Sequence, residues 1–92
     1  MIANFQHRAL KRLFEKGDES GFNPDHLDKI NNILTMLNTA GDATALNLPG
    51  LRLHKLTGNL KGFWSVTVRA NWRIIFRFEA GNVHDVDFMD YH

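Results

Sequence analysis

Between residues 63 and 78 the chain reads FWSVTVRANWRIIFRF, two runs of β-branched and aromatic residues about Arg69-Ala70-Asn71-Trp72. This is a hairpin pattern. In the second run Trp72, Ile74, Phe76 and Phe78 alternate with Arg73, Ile75 and Arg77, and in the first Trp64, Val66 and Val68 alternate with Phe63, Ser65, Thr67 and Arg69. A two-residue turn sets Val68 opposite Arg73 and mixes the faces, because a one-residue slip flips every side chain. A three-residue loop from Ala70 to Trp72, with Asn71 in a left-handed conformation, sets Arg69 opposite Arg73 and Val68 opposite Ile74. One face is then core, and the other carries Ser65, Thr67, Arg69, Arg73, Ile75 and Arg77.

Upstream, residues 1–4 suit a short strand, and Asn4 is placed to cap a helix over 5–16 whose apolar stripe is Phe5, Ala9, Leu10, Leu13 and Phe14. Gly17 ends it. Asn23-Pro24 starts a second helix, with Leu27, Ile30, Ile33, Leu34 and Leu37 at helical spacing to Thr39 and Gly41 as the stop. Asp42 caps one more turn over 43–47. A strand over 51–56 turns Leu51 and Leu53 inward and Arg52 and His54 outward, which matches His54 with Ser65 and Arg52 with Thr67 in the next strand. A last strand over 83–89, pairing Ile74 with Phe88 and Phe76 with Val86, sets Arg77 opposite Asp85. The order β-α-α-β-β-β, two helices on one face of an antiparallel sheet, is of the α+β class.

At 92 residues and 43% hydrophobic content, the chain suits one small domain spanning 1–92. It has no cysteine, so neither disulfides nor thiolate metal sites arise. No apolar run approaches the roughly 18 residues of a membrane helix, and no secretory signal pattern opens the chain. The expectation is a cytoplasmic protein without membrane contact. The net charge of +1 hides a strong asymmetry: residues 1–42 carry −1, residues 43–78 carry +6 with no acidic residue, and residues 79–92 carry −4. An acid-free block of that length over a sheet is an electrostatic footprint for a polyanion.

The outward face gathers Arg52, His54, Ser65, Thr67, Arg69, Arg73, Ile75, Arg77 and Tyr91, and the chain closes on Asp90-Tyr91-His92. Aspartate, tyrosine and two histidines beside several arginines fit acid–base chemistry on a phosphodiester. A base takes the proton of a nucleophilic hydroxyl, arginines hold the phosphorane charge, and an acid protonates the leaving oxygen. In RNA the substrate's own 2′-hydroxyl can serve as nucleophile, with no metal or other cofactor. Two other readings stay open. One is a metal-dependent nuclease built on His84-Asp85-x-Asp87 with Asp90 and His92, although Asp85 and Asp87 have the opposite parity to His84, Asp90 and His92. The other is a non-catalytic RNA-binding sheet, for which Phe63 and Tyr91 are the only outward rings. Because Asp90 and His92 alternate away from the arginine face, their participation requires regular pairing to stop near Met89.

Three blocks carry a family resemblance: Leu51-Arg52-Leu53-His54-Lys55-Leu56-Thr57-Gly58, then Gly62-Phe63-Trp64-Ser65-Val66 with Asn71-Trp72-Arg73-Ile74, and the terminal Asp90-Tyr91-His92. With the Phe5…Leu10…Leu13-Phe14 pattern, the chain resembles the HigB branch of the RelE-type toxins of toxin–antitoxin pairs, also called plasmid maintenance system killer proteins, over nearly its whole length. The resemblance implies a RelE-like, microbial-RNase-like fold that cleaves mRNA in the ribosomal A site without a metal. It also implies a hetero-oligomeric complex with a helix-turn-helix, HigA-like antitoxin. Carried onto this sequence, it makes His54 an acid–base group and Arg73 the holder of the scissile phosphate. Asp90, Tyr91 and His92 become positioning and proton-transfer groups, and Arg52, Lys55, Lys61 and Arg69 RNA contacts. The chain departs from the pattern at Thr57, where some relatives have lysine, so Lys55 or Lys61 is the expected source of that charge.

Overall fold

The computed structural model describes residues 1–90. Tyr91 and His92 lie outside the described residues. The elements are α1 (Arg8–Lys16), α2 (Pro24–Thr39), a 3₁₀ turn (Ala43–Leu46), β1 (His54–Lys55), a second 3₁₀ turn (Gly58–Leu60), β2 (Trp64–Arg69), β3 (Trp72–Glu79) and β4 (Asn82–Asp90). The four strands form one antiparallel sheet in the order β1-β2-β3-β4. Among the described residues no helix is long and apolar enough to cross a membrane.

The N-terminal residues do form strand-like bridges, Ile2 with Val83 and Phe5 with Val86, both parallel and on the outer edge of β4. That contact moves the start of α1. Asn4 is not its cap, because its amide donates to Asp85 Oδ1 at 2.7 Å and its carbonyl oxygen accepts from the Asp85 N–H at 3.0 Å. The chain stays extended through Gln6, whose N–H bonds the Val86 carbonyl at 2.8 Å. His7 caps instead, its Nδ1 accepting from the Leu10 N–H at 3.2 Å. Gly17, at φ +68°, closes the helix as expected. Asn23 caps α2 with Pro24 at its start, and Asp42 caps the 3₁₀ turn. The cap that ends α2 is Ala40 rather than Gly41.

Leu10 and Leu13 of α1 and Ile30, Ile33, Leu34 and Leu37 of α2 pack on Val66, Val68, Ile74, Phe76, Val83 and Val86 of the sheet, all buried. Trp64, Trp72, Phe78 and Phe88 rim that core. The apolar face is therefore the one the alternation indicates.

The register is not. Arg69 pairs with Trp72, so the loop is the two residues Ala70-Asn71, and the left-handed one is Ala70 at φ +51°. The mixed faces such a loop would cause are avoided by a bulge: Thr67 pairs with Arg73 and Val66 with Ile74, leaving Val68 as an extra residue. Val68 and Arg69 consequently both lean to the helical side, Val68 buried and Arg69 3.9 Å from Asp25 in the first turn of α2. Arg69 and Arg73 lie on opposite faces of the hairpin, contrary to expectation.

A second bulge lies in β4. Ile75 pairs with Asp87 but Arg77 with His84, so Val86 and Asp85 together oppose Phe76. Asp85, at φ +56°, still meets Arg77, whose Nε lies 2.7 Å from its carboxylate. Ile74 pairs with Phe88 as expected, and pairing runs past Met89 to Asp90, which faces Trp72.

Candidate active site

The sheet face turned away from the helices is organised by two cross-strand rows. His54 pairs with Ser65, Ser65 with Ile75 and Ile75 with Asp87. In the next row Thr67 pairs with Arg73 and Arg73 with Met89. His54 and Arg73 are thus two strands and two residues apart, a backbone separation of about 12 Å. Their two long side chains can approach one phosphodiester from either side.

Arg73 is half-buried, with its Nε shielded from solvent, and one terminal nitrogen donates to the Thr67 hydroxyl. That bond aligns the guanidinium along the sheet surface. Ser65 and Ile75 are only 1% and 3% exposed, so the face is less open than the alternation suggests. Ile75 has Arg73 and Arg77 as same-face neighbours along its strand and Ser65 and Asp87 across it. The result is a dry floor under the charged groups, where a low dielectric strengthens an arginine–phosphate contact.

His54 is exposed, and its Nδ1 lies 3.2 Å from the Arg52 carbonyl oxygen. A carbonyl only accepts, so Nδ1 carries the proton and Nε2 is the acceptor nitrogen of the neutral ring. Arg52 itself bends at φ +51°, in the left-handed region. The same bend cuts the expected strand over 51–56 down to His54–Lys55. Arg52 does not pair with Thr67; the Thr67 N–H bonds the Leu51 carbonyl at 2.7 Å instead.

The other expected site residues are dispersed. Lys55 pairs with Trp64, alternating away from His54, and holds its ammonium 5.2 Å from the centre of the indole. Lys61 is exposed in the loop after the second 3₁₀ turn. Arg69 sits with Asp25 on the helical side. Asp90 pairs with Trp72, whose ring stacks on Phe88 at 4.9 Å beside the core, so it shares the face opposite Arg73. Tyr91 and His92, beyond it, are outside the described residues.

Arg77 occupies the Arg73 face but is committed to Asp85 at 2.7 Å and Glu79 at 3.1 Å. Asp85 in turn accepts from Asn4 and from Gln6, the latter at 2.9 Å. Hydrogen bonds from Asn4, Arg77 and Gln6 hold its carboxyl down at about 2. That lattice ties the N-terminal segment to the β4 bulge and speaks against Asp85 as a metal ligand. Among the described residues no three metal-ligating side chains gather.

Two residues on this face, Asp87 and Met89, were not among those assigned to it from the sequence. Their signal was available. Pairing Ile74 with Phe88 already places Asp87 and Met89 on the side of Arg73.

A model of the RelE-like toxin of type II toxin–antitoxin systems, HigB, matches residues 3–92. The chain is also similar to "Endoribonuclease HigB" of Proteus vulgaris, 46% identical over 92 residues that cover the whole of both chains. Together with two helices on a four-stranded antiparallel sheet, these matches show that the chain belongs to the HigB-like, RelE-type toxins of type II toxin–antitoxin systems.

Proposed function

We propose that this protein is an endoribonuclease that cleaves mRNA in the ribosomal A site, using the 2′-hydroxyl of the substrate as nucleophile and no metal. The name of the Proteus vulgaris relative supports RNA cleavage. The observation that carries the mechanism is the hydrogen bond between His54 Nδ1 and the Arg52 carbonyl, on the same sheet face as Arg73.

With Nδ1 occupied, Nε2 of His54 accepts the proton of the 2′-hydroxyl as its oxygen attacks phosphorus. Arg73 holds the non-bridging oxygens and stabilises the charge that builds on them. The bond from phosphorus to the 5′-oxygen then breaks, giving a 2′,3′-cyclic phosphate and a 5′-hydroxyl end. The leaving oxygen takes a proton from Tyr91 or His92, and Asp90, paired with Trp72 on the face away from Arg73, is left out of the step. Arg52, Lys55 and Lys61 extend the positive surface along the RNA, and the ribosome presents the codon in the strained geometry the attack requires. A helix-turn-helix, HigA-like antitoxin neutralises the toxin in a hetero-oligomeric complex in the cytoplasm.

The test is cleavage of mRNA on programmed ribosomes. Wild-type protein should cut, and His54→Gln should lose about 10²–10⁴ in rate. A fully active His54→Gln protein contradicts the assignment.

A further inference from the structure

Next to His54 in the chain, the edge of the sheet opens into a cleft of about 670 Å³ whose walls include Lys55, Thr57, Lys61, Phe63 and Trp64. That volume is typical of small-ligand sites. The 3₁₀ turn over Gly58–Leu60 forms one side, folded back by the bond from the Lys61 N–H to the Gly58 carbonyl at 3.1 Å. The bond from the Leu56 N–H to the Phe63 carbonyl at 2.9 Å closes its inner end. Gly58 and Gly62 make the turn at φ +65° and +96°, and a Cβ on either would meet nothing within 4 Å. The two glycines therefore serve the path of the backbone, while the space beside them stays open.

We propose that this cleft receives one unstacked nucleobase of the RNA strand, a nucleotide flanking the scissile phosphate. The inference rests on the RNA-cleaving reading above and names a subsite for it. Three observations select a nucleotide over an apolar side chain. The lining residues include two exposed lysines and no acidic residue, inside the 43–78 stretch that holds none. Two half-buried aromatic rings, Phe63 and Trp64, stand in its wall, and unstacked bases bind by stacking on such rings with phosphates on nearby cations. Lys55 already places an ammonium 5.2 Å from the Trp64 ring, within reach of a phosphate whose base enters the cleft. The position also suits the substrate path. β1 is the sheet edge, two strand spacings or about 10 Å from β3, so RNA leaving Arg73 across His54 runs off the sheet beside this opening.

Thr57 provides a clean perturbation. Its side chain caps nothing, and its backbone at φ −126° accepts any residue, so Thr57→Trp fills the cleft without disturbing the turn. The experiment measures binding of 2′-O-methyl hexanucleotides, which carry no nucleophile, each abasic at a different position. Trp64 is followed through its indole N–H resonance. In the wild-type protein one abasic position should weaken binding about 10-fold, and the intact oligonucleotide should shift the Trp64 signal. In Thr57→Trp all positions should bind alike, at the weakened level. Lys61→Ala should weaken every oligonucleotide equally. The proposal is overturned if no abasic position stands out, if one stands out equally in Thr57→Trp, or if the Trp64 signal is unmoved at millimolar oligonucleotide. Unchanged RNA binding by Thr57→Trp with loss of antitoxin binding also overturns it and assigns the cleft to the partner protein. Because no bond is cut, failure of the cleavage mechanism leaves these outcomes unaffected.

Discussion

The Arg52 carbonyl oxygen lies 3.2 Å from Nδ1 of His54, and Arg52 itself stands in a left-handed backbone at φ +51°. A non-glycine residue there costs about 1–2 kcal/mol. The fold thus sustains local strain beside the proposed base. Arg52→Gly should raise the stability to urea by about 1 kcal/mol and preserve cleavage on saturated ribosomes, while weakening RNA association through the lost charge. A less stable Arg52→Gly protein would refute the strain argument.

Arg73 and Arg69 separate by face. Arg73→Ala should reduce ribosomal cleavage by about 10²–10³, whereas Arg69→Ala, which removes only an exposed contact with Asp25 at 3.9 Å, should stay within a few-fold of wild type. The salt dependence of RNA association should flatten for Arg73→Ala alone. Equal losses from the two variants would mean that bulk charge, not position, governs binding.

The Asp85 cluster predicts a pH effect. Its carboxyl is held at about 2, against an ordinary 3.8. A depressed carboxylate stabilises the fold fully above the unfolded value, and the contribution disappears as pH falls from about 4 through about 2. For this partly screened group the loss is about 1–2 kcal/mol. Urea unfolding of the wild-type protein should weaken over that interval by more than that of Asp85→Asn, which should start less stable at neutral pH. Parallel profiles would contradict the assignment.

Much of the fold is legible in the chain because apolar alternation and helix signals agree. The His54–Ser65 register follows from matching faces across β1 and β2, and Asn23-Pro24 marks α2 on local grounds alone. The errors have a common cause. Alternation assumes an unbroken ladder, and each bulge inserts one residue that no turn signal announces: Val68 in β2 and the Asp85 region in β4. The first carries Arg69 to the helical side; the second displaces Asp85 from opposite Arg77 yet preserves their ion pair through side-chain reach. Asn4 is the better local cap, but its long-range bonds to Asp85 leave that role to His7. In the candidate site, alternation alone puts His54 and Arg73 on one sheet face, and the roles proposed for them come from the family resemblance. The contact of the Arg52 carbonyl with the His54 ring was not legible, because alternation tells which face a side chain takes and not which backbone group its ring meets.

The most direct measurement of the central claim removes one atom from the substrate. An mRNA carrying a 2′-deoxynucleotide only at the scissile position is placed on programmed ribosomes with wild-type protein, beside the all-ribose message. If His54 deprotonates the 2′-hydroxyl while Arg73 holds the phosphate, the all-ribose message yields a 2′,3′-cyclic phosphate and the deoxy message stays intact at that site. Cleavage of the deoxy message at an undiminished rate would contradict the mechanism and require a different nucleophile.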